Sequence, residues 1–103
     1  MIKVSILYPN SPGSHFDMAY YVDRHMPMVR QKLGADLKGL AVDQCLAGGT
    51  AGAPPSYLAV GHLMFDSVDA FQRSFGPSAA AITGDIPNYT NTQPTVLISE
   101  IKL

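Results

Sequence analysis

The alternation of apolar and polar residues along the chain predicts four β-strands. Runs rich in β-branched and aromatic residues, with side chains alternating at a period of two, are typical of strands. The predicted strands are Ile2–Tyr8, Leu37–Leu46, Tyr57–Phe65 and Thr95–Leu103. Clusters of proline, glycine and small polar residues separate them and cannot continue a strand.

A different spacing, close to the period of a helix, predicts a helix from Asp17 to Leu33. The Asp17 carboxylate can cap the first turn, and Gly34 offers a left-handed stop at the other end. One apolar line recurs at spacings of four, three and four residues and is predicted to face the core; its members are Met18, Val22, His25 and Val29. Pro27 lacks the N–H that would bond the carbonyl of Asp23, so we predict a kink beside the histidine.

A second, shorter helix is predicted before the last strand. Asp66 or Ser67 can cap it, and it runs to Phe75 before Gly76-Pro77 interrupts it. A further helical turn is predicted over Ser78–Ile82, followed by an ordered loop over Gly84–Pro94.

The order of these elements predicts one α+β domain over residues 1–103. A β-α-β-β-α-β chain folds into a ferredoxin-like plait, in which both helices cover one face of a four-stranded antiparallel sheet. The third strand is apolar on both faces, and the fourth alternates Val96 and Ile98 against Leu97 and Ile101. Leaving such a face in water is costly, so we expect a homodimer that buries the sheet face without helices.

Composition excludes several partners. The 103 residues carry a net charge of −1, with basic residues scattered singly, so we expect neither nucleic acid nor an anionic membrane as a partner. No apolar run is long enough to cross a bilayer, and the first residues do not resemble a signal peptide. The single Cys45 cannot form an internal disulfide, and a reducing, cytoplasmic location is expected.

Two stretches carry a resemblance to a known family. Phe16-Asp17, the pair Tyr20-Tyr21, then His25 and Pro27, together with the run 84–91 (GDIPNYTN), resemble EthD-like proteins, a group of dimeric α+β barrels. The resemblance implies a ferredoxin-like fold closed into a barrel by two copies, with a pocket near the first helix. Related barrels include cofactor-free monooxygenases, lactone isomerases, cyclases and haem-degrading enzymes, and the family name implies a link to ether breakdown without naming a reaction.

His25 is the main candidate for chemistry. Its ordinary pKa of about 6.5 allows it to act as a general acid or base at neutral pH. The alternative is a core histidine that donates to a carbonyl freed by the kink at Pro27. Tyr21 lies one turn away on His25's side, whereas Tyr20 points about 100° away and is expected to be structural.

Other residues are candidates for the wall of a pocket, although core packing explains Met18, Val29 and Phe71 equally well. These pocket candidates are Met18, Val22, Val29, His62, Phe71 and Tyr89. For His62, the favoured interpretation is a hydrogen-bonded histidine in the sheet or the dimer barrel. The polar loop residues Asp85, Asn88, Tyr89 and Asn91 line either a pocket or a dimer seam, or they stabilise turns; the structural role is favoured.

We predict no metal site and no cofactor. The histidines at positions 15, 25 and 62 lack the short spacing that brings ligands onto one face, and the glycine-rich segment Gly48–Gly52 lacks a phosphate-binding pattern. Haem held by an axial histidine, as in some related barrels, remains an alternative that would give a Soret band.

These observations favour a homodimer that binds a small, largely apolar organic molecule between the first helix and the sheet. Its activity would be cofactor-free proton transfer, isomerisation or monooxygenation, with His25 as the acid or base. The alternative is a non-catalytic accessory subunit, carrier or ligand sensor, and whether the protein is an enzyme stays open at this point.

Overall fold

The computed structural model describes residues 1–103 and confirms the predicted order of elements. The strands are β1 (Ile2–Pro9), β2 (Gly39–Gln44), β3 (Tyr57–Phe65) and β4 (Thr95–Glu100). The helices are α1 (18–33), α2 (Val68–Phe75) and α3 (Ala79–Gly84), with short 3-10 turns at Gly34–Asp36, Gly76–Ser78 and Ile86–Asn88. Strand β2 is shorter than predicted. On either side of it, Lys38 and Cys45 each donate a single backbone hydrogen bond to β3, but the regular ladder does not extend further.

The four strands form one antiparallel sheet in the order β2-β3-β1-β4. Val4 of β1 lies opposite Leu63 of β3 and Ile98 of β4, and this set faces the helices. The neighbouring set, which includes Ser5, His62 and Leu97, faces the other way. The α+β ferredoxin-like plait is therefore confirmed, with one covered and one open sheet face.

Helix α1 contains a wide turn next to the histidine. It consists of an α-helical start at Met18–Tyr20, a π-helical turn at Tyr21–His25 and an α-helical segment at Met26–Leu33. The Met26 N–H bonds the carbonyl of Tyr21, five residues back. Because Pro27 offers no N–H to Asp23, the chain takes up one extra residue here, which is the form that the predicted kink takes.

The π turn also changes which residues face the core. The buried line is Tyr21, His25, Val29 and Leu33, at steps of four residues. The prediction that Val22 faces the core is wrong, since its side chain is 46% exposed. A regular α-helix would bring Val22 and His25 onto one face, whereas the wider turn brings Tyr21 and His25 onto the face that packs against the sheet.

The chain is flatter than a typical domain of its size. Its radius of gyration is 14.0 Å and its extents are 40 × 33 × 19 Å, against about 12.8 Å expected for a compact chain of this length. Strand β4 is exposed along its whole length, including Val96, Leu97 and Ile98 at about half exposure each.

No helix of the structure combines the length and apolar character needed to cross a bilayer.

Candidate functional site

A small cavity lies between α1, the sheet and the loop that follows α3. Its volume is about 90 Å³, and its wall is mostly apolar and aromatic. The residues that line it are Ile6, Tyr8, Tyr21, His25, Met26, Val29, Leu63, Phe75, Ile82, Thr83, Ile86, Tyr89, Pro94 and Val96. An apolar cavity with a few convergent polar groups is the usual form of a small-molecule site.

His25 is the one titratable group in this wall apart from the tyrosines, and it is paired with Asp85. The histidine is 3% exposed, and its Nδ1 lies 2.9 Å from Asp85 Oδ2. Asp85 follows directly after α3, where its other oxygen, Oδ1, accepts hydrogen bonds from Tyr20 Oη at 2.7 Å and Asn88 Nδ2 at 2.9 Å. Three donors therefore fix the carboxylate that holds the imidazole.

The charges of this pair follow from burial and hydrogen bonding. Burial lowers the pKa of His25, and the opposing attraction of Asp85 does not overcome it. For Asp85, burial acts to raise the pKa, but the hydrogen bonds from Asn88, His25 and Tyr20 together hold it below its ordinary value. At neutral pH the site therefore holds a neutral imidazole beside a carboxylate.

The carboxylate also decides which nitrogen of His25 carries the proton. An ionised carboxylate only accepts hydrogen bonds, so Nδ1 must be the protonated nitrogen and Nε2 keeps its lone pair. Nε2 has no hydrogen-bond partner in the protein, and no side-chain nitrogen or oxygen is both buried and unpartnered. Nε2 is therefore accessible from the cavity that His25 lines, in the protonation state of a general base.

Three tyrosines surround the imidazole within the same cavity. The ring of Tyr21 stacks on His25 with centroids 5.3 Å apart, and the ring of Tyr89 lies 4.7 Å away. The hydroxyls of Tyr8 and Tyr89 are 2.7 Å apart. Burial raises the pKa of all three tyrosines, so their hydroxyls stay protonated. One of these protons is used in the bond between Tyr8 and Tyr89.

Gly61 on β3 makes room for one of these tyrosines. A Cβ atom at this position would overlap Tyr21 Oη and lie 2.9 Å from Met26 Cε. The missing side chain therefore lets the Tyr21 ring reach the sheet.

The loop after α3 is tied to the start of α1 by several hydrogen bonds. The Thr90 hydroxyl donates to the carbonyl of His15 at 2.6 Å, and Asp17 N donates to the carbonyl of Tyr89 at 2.7 Å. Asn91 accepts from His15 N and donates to the carbonyl of Gly13. These contacts hold Asp85 and Tyr89 in place against α1, and they give Asn91 the structural role that was favoured from the sequence.

The structure brings together four of the residues proposed from the sequence: His25, Tyr21, Val29 and Tyr89 all line the cavity. Met18 and Phe71 are half-buried against the core and do not line it. Val22 lies on the outer side of α1, in a separate depression beside β2.

His62 lies on the open face of the sheet, so its placement in the pocket is wrong. Its Nε2 is 2.8 Å from Asp43 Oδ2, and its Nδ1 is 3.3 Å from Ser5 Oγ. The alternation of β3 directs Gly61 and Leu63 toward the helices and therefore His62 away from them. The favoured interpretation of a hydrogen-bonded histidine in the sheet is confirmed.

Sequence analysis missed the pairing of Asp85 with His25. The two residues are 60 positions apart, and no local spacing connects them. The signals available were the polar cluster that follows Gly84 and its resemblance to the EthD pattern, which marked the loop without identifying Asp85 as the partner of the imidazole.

The site does not fit a haem group. The cavity of about 90 Å³ is well below the ~300 Å³ at which pockets for drug-sized ligands begin. No group of three or more histidine, cysteine or acidic side chains is arranged to hold a metal ion. Cys45 lies away from the cavity, where burial raises the pKa of its thiol.

The fold and the site define a class: a ferredoxin-like α+β domain with a histidine–carboxylate pair in an apolar cavity. The family model described as the EthD domain matches residues 15–93. The chain therefore belongs to the EthD family.

Solved structures agree with this assignment. An EthD-like protein from Ralstonia eutropha JMP134 is 43% identical, with a TM-score of 0.94 over 99% of this chain and 92% of the other. An ethyl tert-butyl ether d (EthD) family protein from Bacillus halodurans C-125 is 16% identical, with a TM-score of 0.69 over 99% of both chains.

A protein from Arabidopsis thaliana is 10% identical, with a TM-score of 0.71 over 100% of this chain and 97% of the other. At these lower identities, the likeness to the Bacillus and Arabidopsis proteins is evidence for the fold alone. The comparison with curated proteins finds no match.

Proposed function

We propose that this protein is a cofactor-free enzyme that transfers a proton at a carbon atom beside the carbonyl group of a small, largely apolar molecule. The observation that carries this proposal is the orientation of His25. Asp85 accepts a hydrogen bond from its Nδ1–H, and Nε2 keeps a free lone pair in a residue that lines the cavity. A base fixed in this way by a carboxylate is a recurring arrangement in proton-transfer enzymes.

The proposed step balances without an oxidant or a metal. His25 Nε2 takes a proton from the α-carbon, the C–H electron pair forms a C=C bond, and the carbonyl π pair moves to oxygen to give an enolate. A tyrosine hydroxyl of the cavity donates a hydrogen bond to that oxygen, where charge develops. The imidazolium then returns its proton to a different atom of the enolate, which yields an isomer.

The cavity limits the substrate to a compact group. Its volume of about 90 Å³ is smaller than the ~150 Å³ of an engineered cavity that accepts benzene, so we expect a ring or branched group of about five carbons. A simple ether has no acidic C–H for the base to remove. The geometry therefore favours a carbonyl compound over an ether as the substrate.

The functional unit we propose is a homodimer that buries the open sheet face. This face carries Leu7, Val60, Met64 and Leu97, and it leaves the chain flatter than a compact monomer. Leu97 is 52% exposed and the other three are partly exposed, and an apolar patch of this kind favours an interface. Leu97 lies opposite Ser5 on this face, and we expect it to contact the second copy.

The experiment that tests the proposal measures solvent deuterium exchange at the α-carbons of cyclopentanone by NMR. We expect the wild-type protein to exceed the rate of an equal concentration of free imidazole, and His25→Gln to lose at least about 100-fold of that exchange. The control is His15→Gln, which removes an exposed imidazole with no side-chain hydrogen bond and leaves the rate unchanged.

Binding of cyclopentanone without exchange would contradict catalysis and favour the carrier or sensor alternative. Equal exchange by the wild type and His25→Gln would contradict the role of the histidine.

A further inference from the structure

A second, wider recess with a different character lies beside the cavity. This recess, which we call the mouth groove, has a volume of about 640 Å³ and shares Thr83, Ile86, Pro94 and Val96 with the cavity wall. Its remaining wall is mostly hydroxyl and amide side chains from the loop that leads into β4. The apolar cavity and the polar groove therefore lie next to each other, on either side of these four residues.

Two polar side chains of the mouth groove are available to a ligand. Thr90 and Asn91 use their side chains to hold the loop against the start of α1. Gln93, by contrast, is exposed and its amide makes no hydrogen bond within the protein. Thr83 donates its hydroxyl proton to the carbonyl of Ala79 at 2.7 Å, so its oxygen is left as an acceptor at the mouth of the cavity.

The electrostatic character of both recesses is neutral. No lysine, arginine, aspartate or glutamate lines the cavity or the mouth groove, and His25 is uncharged at neutral pH. A carboxylate or ammonium group on a ligand would find no ionic partner among these residues. The free polar atoms are the hydroxyl oxygen of Thr83, which can accept a hydrogen bond, and the side-chain amide of Gln93, which can donate and accept. A neutral group with both a donor and an acceptor matches these atoms.

We propose that the substrate is a neutral amphiphile with a compact apolar head and a short carboxamide or hydroxyl tail. The head occupies the cavity beside His25, and the tail lies in the mouth groove against Thr83 and Gln93. This inference rests on the proposed function, because it assigns the reacting head to the cavity of His25, and it adds the class of the unreacting part of the substrate.

The test compares two probes that differ only in the charge of the tail. Binding of 3-cyclopentylpropanamide and of 3-cyclopentylpropanoate to the full chain is measured by isothermal titration calorimetry at pH 7.5. We expect the amide to bind about 3- to 10-fold more tightly, because only the amide can donate a hydrogen bond to the Thr83 oxygen. Equal affinity, or tighter binding of the carboxylate, would overturn the inference.

Two substitutions locate the tail. Thr83→Val and Gln93→Ala are each expected to weaken amide binding about 3- to 10-fold, the effect of one hydrogen bond. Gln93 lies outside the cavity wall, so Gln93→Ala is expected to leave cyclopentanone binding unchanged. The matched controls are Thr50→Val and Gln72→Ala, at exposed positions outside both recesses. Equal amide affinity in all four variants would overturn the assignment of the mouth groove.

The outcomes separate the two proposals. Cyclopentanone exchange that depends on His25, together with tail-independent binding, would leave the proposed reaction standing and refute the mouth groove. Amide binding that depends on Thr83 and Gln93, without any exchange, would refute the reaction and retain the groove. Both proposals would be refuted if cyclopentanone showed no exchange and the amide did not bind.

Discussion

Replacing Asp85 with asparagine is expected to move the proton of His25 from one ring nitrogen to the other. In the wild type, Oδ1 of Asp85 accepts two hydrogen bonds, from Tyr20 and Asn88, whereas Oδ2 accepts one, from His25 Nδ1. In Asp85→Asn, we expect the amide oxygen to occupy the position of Oδ1, where it accepts from Tyr20 and Asn88. The NH₂ group then faces His25. His25 must then accept at Nδ1 and carry its proton on Nε2.

This change has two consequences of different size. The charge-assisted bond between Asp85 and His25 becomes a neutral one, and the bonds from Tyr20 and Asn88 weaken in the same way. We expect a loss of about 1–3 kcal/mol in the free energy of unfolding. The lone pair toward the cavity disappears, so proton transfer is expected to fall by about 10² to 10⁴.

Long-range proton–nitrogen NMR spectra test the first consequence without any knowledge of the substrate. We expect the Nδ1–H tautomer of His25 in the wild type and the Nε2–H tautomer in Asp85→Asn, with urea denaturation reporting the loss of stability. The matched control is Asp23→Asn, which removes an exposed carboxylate on α1 that forms no ion pair. A wild type with the Nε2–H tautomer, or an Asp85→Asn variant that retains Nδ1–H, would refute the reasoning.

Three further predictions concern stability and assembly. Burial lowers the pKa of His25 below 6.5, so just below that pH the unfolded chain binds more protons than the folded chain. The free energy of unfolding should therefore fall as the pH drops through 6.5. Urea titrations from pH 5 to 8 should show this dependence of stability on pH, and His25→Gln should weaken it. Gly61→Ala should cost about 1–3 kcal/mol in the same assay, because the added methyl group overlaps Tyr21 Oη, and a wild-type midpoint would show that the ring has room to move. Leu97→Asp should weaken the dimer at least about 100-fold in native mass spectrometry or sedimentation, because each dimer loses two buried leucines, whereas a monomeric wild type would contradict the dimer.

Much of the fold could be predicted because its signals are local. The alternation of β3 gave that strand its exact bounds, and Asp17 and Gly34 cap the first helix as their side-chain and backbone properties require. The inward position of His25 was also predicted correctly. The prediction that Val22 faces the core beside it was wrong. The helical turn before Pro27 contains one residue more than an α-helical turn, so Tyr21 faces the core instead of Val22.

The remaining errors arose from properties that no local pattern encodes. The side of the sheet on which His62 lies depends on which of two apolar faces the helices cover, and both faces of β3 looked equally suitable. The partner of His25 depends on the packing of α3 and its following loop against α1, over 60 positions of sequence. The resemblance to EthD-like proteins marked that loop, but the role of Asp85 required the folded geometry.

The most direct test of the central claim is the pH profile of cyclopentanone exchange in the wild type and in His25→Gln. A base with a lowered pKa should keep the rate high at neutral pH and reduce it along an acid limb with a midpoint below 6.5. We predict that His25→Gln abolishes this limb together with the enhanced rate. A wild-type profile no higher than that of free imidazole, or one that His25→Gln leaves unchanged, would contradict the assignment of His25 as the base.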